Sequence, residues 1–220
     1  MSRPRVVAID GAAGSGKSTL ARGLARALGL PYVNTGLMYR AITDAALRSG
    51  VDLDDGAALS ELLQVMAFGL SGGDPPELLV DGSPPAADVT SAAVENNVSR
   101  VAAHPQVRAL MRDAQRHLGE ANGAVMEGRD IGAVVFPDAP VKLYLVATAS
   151  ARAERRADER PGDEVEVEAS LRSRDAKDAA VNPFRPPEGA ITLDTGRLDA
   201  AGTVEAALTI VRERAPELIP

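Results

Sequence analysis

The sequence predicts an α/β domain built on a central, mostly parallel five-stranded sheet flanked by helices. Two observations carry this prediction. Short β-branched apolar runs alternate along the chain with segments whose apolar residues recur at helical spacing. The first of these runs also ends abruptly at a Gly-rich turn and passes into an amphipathic helix, as a buried parallel strand does when it feeds a crossover.

The elements follow in order. Arg5–Asp10 reads as the first strand, and Leu20, Leu24, Ala27 and Leu28 form one face of a helix stopped by Gly29 and Pro31. Tyr32–Val33 reads as a second strand, and a helix over Tyr39–Leu47 stops at Gly50. From about Val51 to Asp88 the pattern loosens. A helix over Ala57–Phe68, turn chemistry at Ser71–Pro76, a strand at Glu77–Val80 and a second turn at Asp81–Pro85 describe a small insertion of helix plus β-hairpin. Val94, Val98 and Val101 restore helical spacing, and another helix follows Pro105, a residue tolerated in a first turn. Ala124–Met126 and Val141–Val146 are buried strands, and charged helices span Ala149–Ala157 and Asp163–Asp178. A last strand at Ala190–Leu193 leads into a closing helix with Val204, Leu208 and Val211 on one face.

Composition narrows the function. The chain has 220 residues and a net charge of −7, against the basic surplus of a polyanion binder. With no Cys there is neither disulfide nor thiolate chemistry, and two His (His104 and His117) make a His-centred triad or metal site a poor expectation. Aromatics at 3% offer no platform for stacking bases. The run Val6–Ile9 is too short for a signal-peptide core, and no apolar stretch approaches the ~20 residues of a membrane span. A cytoplasmic monomer acting on small molecules, with no nucleic-acid or membrane partner, is therefore expected.

Gly11-Ala12-Ala13-Gly14-Ser15-Gly16-Lys17-Ser18-Thr19 satisfies G-x-x-x-x-G-K-[ST] between a strand and a helix, the context a phosphate-binding loop (P-loop) requires. Glycine at 11, 14 and 16 lets backbone amides turn toward an anion where a Cβ would obstruct it, and the new helix adds its positive end. Only three of the 24 basic residues are Lys, so Lys17 is a choice: a compact ammonium, not a planar fork, for the β- and γ-phosphates. Ser18 is the expected ligand of Mg²⁺, with ATP as the nucleotide. The guanine-reading N-K-x-D element of switch GTPases is missing, which leaves a compact P-loop kinase.

Three further blocks resemble the bacterial type of the cytidylate kinase (CMP kinase) family, P-loop nucleoside monophosphate kinases, and the resemblance covers nearly the whole chain. They are Asn34-Thr-Gly-Leu-Met-Tyr-Arg40, Val98–Arg108 with its S-x-V-A-x-x-P-x-V-R pattern, and Glu127-Gly-Arg-Asp-Ile-Gly132 followed by Val135-Phe-Pro-Asp-Ala-Pro140. The resemblance implies transfer of the ATP γ-phosphoryl group to CMP or dCMP. Thr35, Tyr39 and Arg40 would belong to the acceptor segment, with Arg40 and Arg129 forking onto the acceptor phosphate. Ser99, Arg108 and Asp130 are assigned to the cytosine ring. Lys17, Arg129, Asp130 and Arg155 are the expected catalytic set. Arg152, Arg155 and Arg156 would neutralise the donor phosphates from a lid over about 149–178. Arg174 and Asp178 would serve phosphate and ribose. An acceptor-binding insertion over about 51–98 and a core over about 1–50, 99–148 and 179–220 complete a single domain, 1–220. The sequence departs from the family at Val181, where relatives carry Arg, at Ala12 in place of a common Pro, and at Asp88–Val94, which lacks an Ile-Arg pair. A UMP or AMP kinase, or a regulatory nucleotide-binding module without an acceptor, are the alternatives.

Overall fold

The computed structural model describes residues 4–159, 176 and 185–220, with the side chains of 156–159 left outside that description. The main sheet is built from β1 (Val6–Gly11), β2 (Tyr32–Asn34), β5 (Ala124–Gly128), β6 (Val141–Val146) and β7 (Ile191–Asp194). Its order is β2-β5-β1-β6-β7, and every pairing is parallel. The expected five-stranded α/β sheet is what the chain forms.

Alternation along β1 builds two cores. Val6 and Ala8 face one layer, with Val33, Met38, Ile42, Met111 and Met126. Val7 and Ile9 face the other, with Leu20, Leu24, Leu143 and Val211. On the first side lie α2 (Thr35–Ser49), α3 (Gly56–Val65), α4 (Ala92–Ala102) and α5 (Pro105–Asn122), and on the second α1 (Lys17–Leu28) and α7 (Ala200–Arg214). A further helix, α6 (Ala149–Glu159), follows β6.

Local chemistry explains the helix ends. Side chains of Asn34, Asp55, Ser91 and Asp199 cap α2, α3, α4 and α7 by accepting first-turn amides. Gly29 and Gly50 close α1 and α2 in the left-handed conformation. The Asn34 cap starts α2 at Thr35, four residues before the helix expected from Tyr39.

The helix expected over Ala57–Phe68 needs correction. It ends at Val65, and Phe68 opens β3 (Phe68–Leu70), which pairs antiparallel with β4 (Leu78–Val80). The Asp81 carboxylate accepts from the Ala67 amide at 2.7 Å and holds the chain in the strand. Helical spacing of apolar residues was overruled by the cross-strand partner of Phe68, Val80, twelve residues further on. The hairpin docks on the sheet edge, where the Tyr32 amide donates to the Pro76 carbonyl at 2.8 Å. Arg22 ties it down from α1, 3.0 Å from Glu77 and 5.0 Å above the Tyr32 ring. The helix expected over Asp163–Asp178 lies outside the described residues.

Candidate active site

The carboxyl ends of β1 and β5 open into one cavity of about 820 Å³, the position where parallel α/β sheets bind ligands. Its floor is the Gly-rich turn. Gly14 and Gly16 have φ of 72° and 85°, and Gly16 is the left-handed cap residue of α1 with no side chain capping the helix. The first-turn amides of α1 are therefore left to an anion rather than to a protein carboxylate or hydroxyl. A Cβ at Gly11 would sit 2.6 Å from the Leu145 carbonyl oxygen, so no other residue fits between β1 and β6 there.

The turn is braced from behind. Lys17 arches back to donate to the Ala12 carbonyl at 2.7 Å. Thr195 donates its hydroxyl to the Ser15 carbonyl at 2.9 Å and accepts from Arg155 Nη1 at 3.1 Å. Arg152 Nη1 donates to the Ala13 carbonyl at 3.1 Å. Arg155 lines the cavity, whereas Arg152 is not among its lining residues. Arg152 thus holds the turn's backbone directly, and Arg155 holds it through Thr195. Arg156 lies on α6 with its side chain undescribed, and Arg174 and Asp178 are outside the described residues.

The same cavity is also lined by Thr35, Tyr39 and Arg40 from α2, Ser99 from α4, Arg108 from α5, and Arg129 and Asp130 from the turn after β5. The expected acceptor residues that are described thus share one space with Lys17, Ser18 and Thr19. Gly11, Ala12 and Ser15 form the turn without lining the space, while Ala13, Gly14 and Gly16 line it. Several of the side chains already have protein partners. Arg108 Nη2 bonds Asp130 Oδ2 at 2.5 Å, and Arg40 pairs with Glu95 at 3.2 Å. Arg129 Nη1 donates to the Gly11 carbonyl at 3.3 Å. Burial pushes the Tyr39 phenol up to about 12.

Two buried carboxylates escaped the sequence reading. Asp10, 1% exposed at the end of β1, accepts the Ile131 amide at 2.7 Å and the Gly132 amide at 2.8 Å. It thereby fixes the π-helical turn Ile131–Val135 that follows Asp130. Burial raises its carboxyl to about 6, against the pull of the two amides and Lys17. Glu127, at the end of β5, accepts the Tyr32 phenol at 2.6 Å, and its backbone carbonyl accepts the Thr35 hydroxyl at 2.7 Å. Burial, and then the Glu127 charge, push the Tyr32 phenol up, while hydrogen bonds from Asn34 and Ser18 oppose them. A lone Asp closing an apolar strand was the visible signal for Asp10; Glu127 stood one residue ahead of the Gly-Arg-Asp block.

The residues present suit a nucleotide polyphosphate. The turn offers amides, an ammonium and an uncapped helix start to an anion. Among the described residues no group of three His, Cys, Asp or Glu could hold a metal ion, so a magnesium ion there would rely on the Ser18 hydroxyl together with oxygens of the nucleotide and water. No helix among the described residues is long and apolar enough to cross a membrane.

Comparison with known proteins agrees with the geometry. The chain is 44% identical over 219 residues to the cytidylate kinase of Rhodococcus jostii (strain RHA1), covering 95% of each chain. It is 39% identical to the cytidylate kinase of Exiguobacterium sp. (strain ATCC BAA-1283 / AT1b), covering 97% of this chain and 99% of that one. Among solved structures, TT1252 from Thermus thermophilus is 20% identical, covers 97% of this chain and 99% of that chain, and superposes with a TM-score of 0.52, a likeness of fold. The cytidylate kinase family model matches residues 7–213. On that match and those identities, the chain belongs to the cytidylate kinase family.

Proposed function

We propose that the chain transfers the γ-phosphoryl group of ATP to CMP, and to dCMP, giving ADP and CDP or dCDP by direct in-line displacement. The observation that carries this is the shared cavity: Lys17 and Ser18 line the same space of about 820 Å³ as Arg40, Arg108, Arg129 and Asp130. No protein nucleophile is needed, and the work of the site is positioning and charge neutralisation. The turn amides and Lys17 would hold the donor's phosphates. On binding, Lys17 exchanges the Ala12 carbonyl, its acceptor at 2.7 Å, for phosphate oxygens. A bound magnesium ion, taken by Ser18, would neutralise charge on the donor phosphates.

On the opposite wall, Arg40 and Arg129 would fork onto the acceptor's phosphate and aim its oxygen at the donor. Asp130 would accept the cytosine amine and Arg108 would donate to the ring. Their pairing at 2.5 Å holds a donor and an acceptor side by side before the base arrives. Uracil offers a carbonyl where cytosine has its amine, so Asp130 would face an acceptor and the mismatch would cost ~1–3 kcal/mol. Arg152 and Arg155 would act by bracing the turn, with Arg155 also at the cavity wall, and the segment 51–98 would carry the acceptor-binding insertion. A cytoplasmic setting fits substrates of this kind.

The test is a coupled assay with ATP and Mg²⁺ over CMP, dCMP, UMP and AMP. Acceptor-dependent ADP formation led by CMP and dCMP is expected. ADP formation indifferent to every acceptor, or led by AMP, would remove this reading.

A further inference from the structure

Two cavity-lining carboxylates, Glu95 and Glu127, have no task in the proposed chemistry; Glu127 is taken up by the Tyr32 phenol, which leaves Glu95 to be accounted for. It stands in the first turn of α4, lines the cavity, and pairs with Arg40 of α2 at 3.2 Å. The pair is largely withdrawn from water, with the side chains 12% and 19% exposed. A charge pair so placed is weakly screened.

The opposite wall holds its substrate through cations, hydroxyls and amides, all of which a phosphate can accept from. A carboxylate only accepts and carries the phosphate's own sign. With both anions on one guanidinium the repulsion would be several times that in water, because the wall is partly desolvated. Asp130 differs, since a cytosine amine gives it a proton to accept.

We infer that Glu95 is a built-in occupant of the acceptor's phosphate subsite: its carboxylate stands on Arg40 while the site is empty and is displaced by the incoming phosphate, so that it sets the affinity for the acceptor and demands a doubly charged phosphate to win the exchange. This rests on the reading of Arg40 given above. A singly charged carboxylate can be outcompeted by a phosphomonoester carrying about −1.5 to −2 at neutral pH, and not by an uncharged nucleoside. The occupied state lowers the apparent affinity by the fraction of molecules in which Arg40 is open.

Calorimetric titration of the full chain with CMP and with cytidine, for the native protein, Glu95→Gln and Arg40→Ala, tests it. Glu95→Gln removes the charge and keeps the volume. The expected result is CMP bound roughly tenfold more tightly by Glu95→Gln, as if Arg40 were open in about a tenth of native molecules. Cytidine should show no gain, having no phosphate, and ATP affinity should not move. Unchanged or weaker CMP binding by Glu95→Gln overturns the inference, the weaker case making Glu95 a positive contact to ribose or a prop for Arg40. A Glu95→Gln protein that no longer folds overturns it too, since the carboxylate would then be structural. The two readings fail separately. CMP binding untouched by Arg40→Ala breaks the assignment of Arg40, whereas a large loss there with no gain from Glu95→Gln breaks only the role of Glu95.

Discussion

The two ends of the cavity solve one problem, holding a phosphate, with different materials. The end proposed for the donor is backbone: three glycines with positive φ and an uncapped helix start, braced from behind by Thr195 and Arg152. The end proposed for the acceptor is side chain, contributed by α2, α4, α5 and the turn after β5, and its charges are already engaged as Arg40–Glu95 and Arg108–Asp130. Backbone amides in a fixed turn lose no rotamer freedom on binding, whereas Arg40 must leave Glu95 to take a phosphate. The first end is a mould and the second an exchange.

The contrast breaks most visibly at Lys17, the charged side chain that the mould offers to the donor's phosphates. Lys17→Ala should lower kcat about 10³-fold, the scale of losing a principal charge-stabilising group. Melting temperature should hardly change, because the turn that Lys17 bonds at the Ala12 carbonyl is also held by Thr195 and Arg152. Turnover that survives the substitution would show that the amides suffice without the ammonium.

Asp10 joins the two ends, and its effect is one of pH. Its carboxyl stands at about 6 in the fold against an ordinary value of 3.8, raised first by burial. Between those values the native state binds the proton and the unfolded chain does not, so this group's contribution to stability grows as pH falls from 7 to 4. Asp10→Asn lacks the titration. Denaturant unfolding of both proteins across that range should show the native protein gaining ~2 kcal/mol relative to the variant as the medium acidifies. A constant difference would mean that Asp10 titrates normally.

These residues also mark where the sequence could be read. Gly11 to Thr19 was legible because its demand is local: the spacing itself states where amides must face inward. β1 and β5 were legible because both faces are buried and the runs are unbroken, whereas the edge strand β7, exposed at alternate residues, was legible only as a short β-branched run before the last helix. Arg40, Ser99, Arg108, Arg129 and Asp130 came from a resemblance in order and spacing, and the fold brings them to one cavity. What stayed hidden depends on partners far along the chain. Thr195 reaches Ser15 across 180 residues, and Glu95 meets Arg40 only because α4 packs on α2. Phe68 looked helical until Val80 became its neighbour across the hairpin.

At the exchanging end, Asp130→Ala should narrow the preference for CMP over UMP by about ten- to a hundredfold in kcat/KM, equivalent to ~1–3 kcal/mol. The loss should fall on CMP, with UMP turnover little changed, because only cytosine presents an amine. Equal losses for both would assign Asp130 to posing Arg108, its partner at 2.5 Å, and not to reading the base.

The smallest effect belongs to a surface tie outside both ends, where Arg22 of α1 meets Glu77 of the hairpin at 3.0 Å. Both side chains are about half exposed, 49% and 46%, so water and salt screen the pair. The ring of Tyr32 beneath the guanidinium, 5.0 Å away, adds a modest cation–π attraction. Arg22→Ala should therefore cost no more than ~1 kcal/mol, and less in high salt, since the hairpin keeps its backbone bond from Tyr32 to Pro76. Thermal melts at low and high salt measure both parts. A loss several times larger, or one indifferent to salt, would mean that the hairpin hangs on the arginine's packing against Tyr32, and that a side chain holds it to the sheet edge more than the backbone bond from Tyr32 to Pro76 does.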